Sequence, residues 1–411
     1  MASVKNSEQN VRKARRTLGV CGGAHMLHDG FTDVIYVLLP IWSQALGLSL
    51  VQVGILKSIM SAALAGFQLP AGFLSEKFSA RLVLTGGTVL AGIGYILSGF
   101  AGGFIGLAIT LAIVGMGAAV QHPLSSALVA GAYREGQRRA ALGIYNFSGD
   151  LGKIIFPTGV AFGVGLAGWQ FSSIALGVTG VVGGLLIWLA LSRISLPKTP
   201  EEAVSENKEV SENEVKGVTL GWGITDPVGF GMLAFAGLLD TGTRYAFLSF
   251  LPFLLQEKGA AIESVGFALS LVFAGGAAGK FACGMFAEKF GIIRTVVVTE
   301  LMTACCIAAL IFLPLWPSLL MLPVIGVVLN GTSSVLYGTV SEFVSEHRQA
   351  RAFALFYTVL LTSGAIAPIL FGALGDTMGL EVSFAIIAVV AGCIILICPF
   401  LSPRIVEPPR V

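Results

Sequence analysis

The stretch Leu18 to Trp42 is long and apolar enough to cross a bilayer, yet it carries His25, His28, Asp29 and Asp33. At about 100° per residue, His25, Asp29 and Asp33 climb one face of a helix with His28 beside them. Ionisable groups at that depth are costly, turn toward protein or water, and mark ion or solute pathways. Imidazole titrates near neutrality and can pass its proton to a carboxylate in contact with it, so Asp29 and His25 are candidates for proton exchange. No basic residue on the same helix neutralises Asp29.

Two further segments combine opposite charges at helical spacing. Asp150 and Lys153 stand three apart in GDLGK, and Asp240 and Arg244 stand four apart in LLDTGTR, so each pair shares a helix face. Lys57, in the next hydrophobic segment and level with Asp33, is expected to be its ion-pair partner. A guanidinium can hold a carboxylate or phosphonate through two hydrogen bonds while a neighbouring carboxylate exchanges a proton. Proton coupling is therefore expected at Asp29, His25, Asp150 and Asp240. Solute contacts are expected at Arg244, Lys153, Lys57, Asp33, His28, Gln121, His122, Asn146, Tyr36 and Asn330. His122, before Pro123, can instead bond carbonyls that the proline frees. A divalent ion held by His25, His28, Asp29, Asp33 and His122 is a competing use of the same residues. Spacing along one helix does not by itself make a metal site, so neither metal nor other cofactor is expected.

These residues need a membrane scaffold, and the composition supplies one. The 411 residues are 55% hydrophobic and only 12% charged, about half the charge of an ordinary soluble domain. Mean hydropathy is +0.86. Apolar segments near 18–42, 51–75, 82–101, 104–132, 140–166, 170–192, 224–256, 262–287, 292–314, 317–344, 350–374 and 381–402 are each long enough to span. Basic residues precede the first span and fill alternate loops, leaving only Lys258 on the other side. The positive-inside bias then puts both termini in the cytoplasm. The basic N-terminus and the run after it are expected to be retained, because that run is too long and too polar for a cleaved signal. The six cysteines all fall within spans, show no metal or redox spacing, and are read as buried thiols. The hydrophilic, Glu-rich stretch between the sixth and seventh spans reads as a linker.

The halves repeat each other. Gly72, Glu76, Lys77 and Arg81 after the second span recur as Gly284, Glu288, Lys289 and Arg294 after the eighth, 212 residues on with one slip. Within a residue the same offset pairs Asp29 with Asp240, Pro40 with Pro252, Gly152 with Gly364 and Pro157 with Pro368. Independent anchors at one offset indicate a duplicated six-helix unit.

At these loop residues the chain resembles the major facilitator superfamily, with Glu76 where the family's signature usually has Asp. The resemblance spans everything but the tails and linker. It implies an all-α membrane protein of twelve transmembrane helices in two pseudo-symmetric six-helix bundles. The expected layout is a cytoplasmic tail at 1–17, bundles at 18–192 and 224–402, a cytoplasmic linker at 193–223 and a tail at 403–411. In the family this loop closes a cytoplasmic gate by charge pairing, a role the resemblance assigns to Gly72, Glu76, Lys77, Arg81, Gly284, Glu288, Lys289 and Arg294. It also places the ninth span at the periphery, so Glu300 is read as a helix contact. His25-x-x-x-Asp29 and His122-Pro123 are similar to a pattern in fosmidomycin-resistance-type members, with Gln121 and Leu124 departing from it. Gly149-Asp150-Leu-Gly152-x4-Pro157 is loosely like the family's antiporter motif.

The expected function is proton-coupled secondary transport of a small anionic or zwitterionic organic solute by alternating access. Drug efflux in exchange for protons is the alternative, and divalent-metal transport a more distant one. No phosphate-binding loop and no nucleophile–base constellation is present, so neither an ATPase nor another enzyme is expected. Solute, protons and membrane lipid are the expected partners, with no nucleic acid. The expected form is a monomer in a plasma membrane, that of a bacterial inner membrane.

Overall fold

The computed structural model describes residues 2–133, 135–194, 223–345 and 349–405. Most of the expected linker, the end of the C-terminal tail and the side chain of Glu76 lie outside the described residues. The chain is helical: α1 Ala2–Asp33, α2 Ile35–Leu46, α3 Leu50–Lys77, α4 Ala80–Ser98, α5 Phe104–Ala118, α6 Gln121–Ala132 and α7 Glu135–Ser192. The second half follows with α8 Pro227–Glu257, α9 Ile262–Phe290, α10 Ile292–Phe312, α11 Leu315–Thr339, α12 Gln349–Met378, α13 Leu380–Ile395 and α14 Cys398–Leu401. Among the described residues, nine stretches are long and apolar enough to cross a membrane. One of them, Ala140–Ser192, holds two spans that part at Gly168, whose φ of 82° only glycine adopts without strain. Outside these nine are α1 and α8, which carry the ionisable stripes, and α2, which at 12 residues is too short by itself.

Contacts divide the chain into two compact units that do not follow the repeat. One gathers Met1–Val34, Ala63–Phe156 and Leu166–Thr219; the other gathers Ile35–Ala62, Pro157–Gly165 and Leu220–Val411. Within the second unit, α2 and the start of α3 join the second-half helices through close backbone approach. A Cβ on Gly54 would strike the carbonyl of Pro368, and one on Gly372 would strike that of Leu50. Asp376 on α12 accepts hydrogen bonds from the backbone N–H groups of Leu50 and Val51, both at 2.8 Å, and so caps the N-terminus of α3. Lys258 similarly finishes another helix end, donating to the carbonyls of Ile311 (3.1 Å) and Leu313 (2.7 Å) at the C-terminus of α10. Lys258 thus satisfies orphan carbonyls.

Each unit has its own apolar core. In the first, Leu84, Val120, Leu124 and Leu191 bring α4, α6 and the end of α7 together, and Cys21, Val129, Ala141 and Tyr145 join α1, α6 and α7. In the second, Phe343, Phe356, Val340 and Leu360 centre a larger cluster. Not every thiol is internal as expected: Cys305 is exposed on α10, where the helix surface faces outward from the packed core.

Candidate functional site

In the first unit the ionisable residues of α1 meet α6 and α7. Glycines make that approach possible: a Cβ on Gly152 of α7 would collide with the backbone carbonyl of Met26, and one on Gly149 would sit 2.6 Å from Asp29 Oδ2 and from the His25 ring. Lys153, one residue further along α7, therefore reaches α1. Its Nζ lies 3.3 Å from Asp29 Oδ2 and 3.5 Å from Asp33 Oδ2. Within its apolar span Asp29 has no basic residue, and α7 brings it one. Lys153, which shares a helix face with Asp150, reaches across to two carboxylates of α1.

The other carboxylate oxygen of Asp29 faces imidazoles. Oδ1 lies 3.3 Å from His25 Nε2, 3.8 Å from His28 Nε2 and 3.8 Å from His122 Nε2, the last contributed by α6. His25 Nδ1 is 2.8 Å from the carbonyl of Tyr145, and its ring stacks on that of Tyr145 at 4.2 Å. His122 therefore turns its ring to Asp29 rather than only to carbonyls of its own helix. Beside them Gln121 is buried, with neither amide atom hydrogen-bonded among the described residues.

In the second unit the repeat-related residues behave differently. Arg244 and Asp240 on α8, four residues apart, meet through a hydroxyl. The guanidinium donates from Nη1 to Ser333 Oγ on α11 (3.2 Å), and that hydroxyl donates to Asp240 Oδ2 (2.6 Å). Asp240 is buried, while Arg244 is half-buried. The remaining guanidinium donors of Arg244 have no acceptor among the described residues, and its carbon lies 5.7 Å from the Tyr245 ring. Lys57 of α3 belongs to this same unit: its Nζ is 3.0 Å from Ser61 Oγ, 4.9 Å from the Tyr245 ring centre and 5.2 Å from that of Tyr36. Two cations thus flank one tyrosine, and π-faces share their charge. Asp33 Oδ2 lies 3.5 Å from Lys153 Nζ in the first unit.

The remaining expected residues are less involved. Asn146 is exposed, and Asn330 bonds back to the carbonyl of Gly326 (3.2 Å) on its own helix. Of the loop signature, Arg81 stacks its guanidinium 4.3 Å from the Trp188 ring. Lys77 and Lys289 lie over Phe78 and Phe290. Glu288 and Arg294 are exposed and in no ion pair among the described residues. Outside the spans, Asp226 caps α8, accepting from Val228 and Gly229, and takes Arg404 Nη1 at 2.6 Å. The Gly229 N–H and the guanidinium hold its carboxyl below the ordinary carboxylate range.

Sequence reasoning missed Ser333, Tyr245, Tyr145 and Tyr337. A run of small polar residues around Asn330 marks the α11 face that supplies Ser333, but not which of its hydroxyls meets Asp240. Glu300 on α10 is also more central than expected: it is buried and interacts electrostatically with Asp240.

Known proteins agree on the architecture. The family model described as Major Facilitator Superfamily matches residues 22–227 and 233–411. An uncharacterised transporter of that type from Bacillus subtilis (strain 168) is 24% identical over 397 residues, covering 93% of this chain and 92% of the relative. A probable L-galactonate transporter of Escherichia coli (strain K12) is 23% identical, covering 85% and 80%. The fosmidomycin resistance protein of the same strain is 25% identical, covering 50% of each chain. Among solved structures, a bacterial homologue of the human lysosomal transporter Spinster, inward-facing and occupied, superposes with a TM-score of 0.79 at 18% identity over 95% of this chain and 98% of its own.

Proposed function

This chain belongs to the major facilitator superfamily, and from that premise we propose that it moves a small organic anion together with a proton, the anion at Arg244 and the proton at Asp240. The observation that carries this reading is the relay Arg244–Ser333–Asp240, which leaves most guanidinium donors without an acceptor among the described residues. An unsatisfied half-buried guanidinium calls for an anion, and a carboxylate or phosphonate fits its fork. Galactonate, the solute in one relative's name, is such a carboxylate. The flanking Lys57 adds positive charge, and Tyr36 and Tyr245 add hydroxyls.

Coupling follows from the shared hydroxyl. With Asp240 charged, Ser333 ties the guanidinium to a carboxylate that competes with the solute. Protonation of Asp240 removes that competition, so proton and anion each favour the other's binding, with one coupling free energy acting in both directions. The titratable groups facing Asp240 are Arg244 on its own helix, Glu300 on α10 and Tyr337 on α11. The scheme requires a monomer in a plasma membrane with both termini cytoplasmic, energised by the proton gradient.

The test is galactonate binding and uptake with purified protein in vesicles. The native protein binds more tightly as pH falls. Asp240→Asn binds with little pH dependence and exchanges solute without proton-driven accumulation, whereas Glu300→Gln keeps the dependence. Arg244→Ala loses affinity by at least roughly 100-fold, the equivalent of two charge-assisted hydrogen bonds. Unchanged pH dependence in Asp240→Asn removes the proton from that residue. Efflux in exchange for protons is the second reading, favoured by the Gly149 and Gly152 packing of the antiporter-like segment. It predicts that an inward proton gradient expels the solute.

A further inference from the structure

Three of the chain's four histidines, His25, His28 and His122, turn Nε2 toward a single oxygen, Oδ1 of Asp29. We propose that His25, Asp29 and His122, with His28 beside them, form a binding site for a divalent transition-metal ion, zinc first, built from other residues than the anion site at Arg244. The ligand atoms of His25, Asp29 and His122 all lie within 4.8 Å of one another. Around a tetrahedral zinc with bonds of about 2.0–2.1 Å, neighbouring ligand atoms stand roughly 3.4 Å apart. The three distances to Oδ1, 3.3, 3.8 and 3.8 Å, are within about half an ångström of that edge.

Two independent observations point to an ion. The first is the tautomer of His25. The Tyr145 carbonyl 2.8 Å from Nδ1 is an acceptor, so Nδ1 carries the hydrogen and neutral His25 presents the lone pair of Nε2 to Asp29. A carbonyl on the far nitrogen is also how metal-bound imidazoles are usually oriented. The second is that His25 and His28, 3% and 8% exposed, each bury an Nε2 with no hydrogen-bond partner among the described residues. A lone pair facing a carboxylate, without a hydrogen between them, is repulsive; a cation between them turns the contact attractive.

The surroundings suit that cation. Lys153 sits on the other oxygen, Oδ2, leaving Oδ1 to the imidazoles and fixing the carboxylate's orientation. The His122 side chain is 48% exposed and offers the route in. Imidazole with one carboxylate favours zinc, nickel or cobalt over magnesium or calcium.

The experiment uses full-length protein carrying no polyhistidine tag, stripped with chelator and titrated calorimetrically with Zn2+, Ni2+ and Mg2+. One equivalent of Zn2+ is expected to bind, Mg2+ is expected not to, and Co2+ is expected to give the visible d–d absorption of a four-coordinate site. His122→Ala, at an exposed position that leaves the fold intact, weakens Zn2+ at least tenfold and loses that absorption; His28→Ala weakens it less. Galactonate affinity in Arg244→Ala is an independent readout, so failure at one site leaves the other standing. Zinc binding unaltered in His122→Ala, or no saturable zinc binding by the native protein, overturns the proposal: the cluster is then a protonated imidazole sharing its hydrogen with Asp29.

Discussion

The first span of each repeat offers two ionisable positions one turn apart, and the two halves fill them with opposite logic. The first half has Asp29 and Asp33, with one ammonium from α7 lying between them. The second half has Asp240 and Arg244, with one hydroxyl from α11 lying between them. In the first, two carboxylates and three imidazoles gather about one ammonium; in the second, a cation is shared with a single carboxylate through a neutral go-between. The repeat-related positions differ in sign at one place, Asp33 against Arg244. On the proposals above, that one difference separates a cation site from an anion site.

The comparison breaks most readily at Lys153. Replacing it by alanine leaves Asp29 and Asp33 facing each other without their ammonium. Loss of one partner of a buried pair costs roughly 3–5 kcal/mol, and because the Lys153 side chain is 27% exposed the lower end applies. Denaturant or thermal unfolding in detergent should show that loss, while Lys57→Ala, lying against rings and a hydroxyl, should lose less. A cost no greater for Lys153 than for Lys57 would mean that the two sites are closed alike.

Next in size is Gly152→Ala. Its Cβ meets the backbone carbonyl of Met26, which cannot step aside without moving α1, so about 1–3 kcal/mol of stability should be lost. At the repeat-related Gly364 the added Cβ meets the Tyr245 ring at 3.0 Å, a side chain that can turn, and the cost should be smaller. Equal melting temperatures for the two variants would show that α1 yields more easily than this packing implies.

Ser333→Ala removes the hydroxyl between Arg244 and Asp240. A hydrogen bond to a charged group contributes about 1.5–3 kcal/mol, but the freed guanidinium gains access to solute, so galactonate affinity should change by less than about tenfold. The telling quantity is its pH dependence, which should weaken as in Asp240→Asn. Full pH dependence would mean that the two charges communicate without the hydroxyl.

The smallest effect lies outside the spans. Arg404→Ala removes one of the groups that lower the Asp226 carboxyl. A depressed carboxyl contributes stability that is complete above its unfolded value of about 3.9 and disappears as pH falls through the folded one. The variant should therefore differ slightly from the native protein at pH 7 and not at all in strong acid.

Most of the fold was legible because spans of 20 apolar residues announce themselves, and because the repeated loop residues fixed the pairing of halves. The sites were legible only along a helix. Asp29 with His25 and Asp240 with Arg244 could be read from spacing, yet the contacts that decide their chemistry come from other helices: Lys153 and His122 to Asp29, Ser333 to Asp240. Those meetings depend on where glycines let backbones touch, as Gly149 and Gly152 do, and a one-dimensional pattern does not record which carbonyl a missing side chain makes room for. Hydropathy failed at α1 and α8, the helices whose charges are the ones the sites use.

Asp376 holds the main-chain N–H groups of Leu50 and Val51, and no side chain at all. What it grips is common to every amino acid except proline. The clasp is therefore inscribed at only one of its two ends: the side chains at 50 and 51 answer to their own packing, as Leu50 does against Gly375, while the grip itself depends on Asp376 alone.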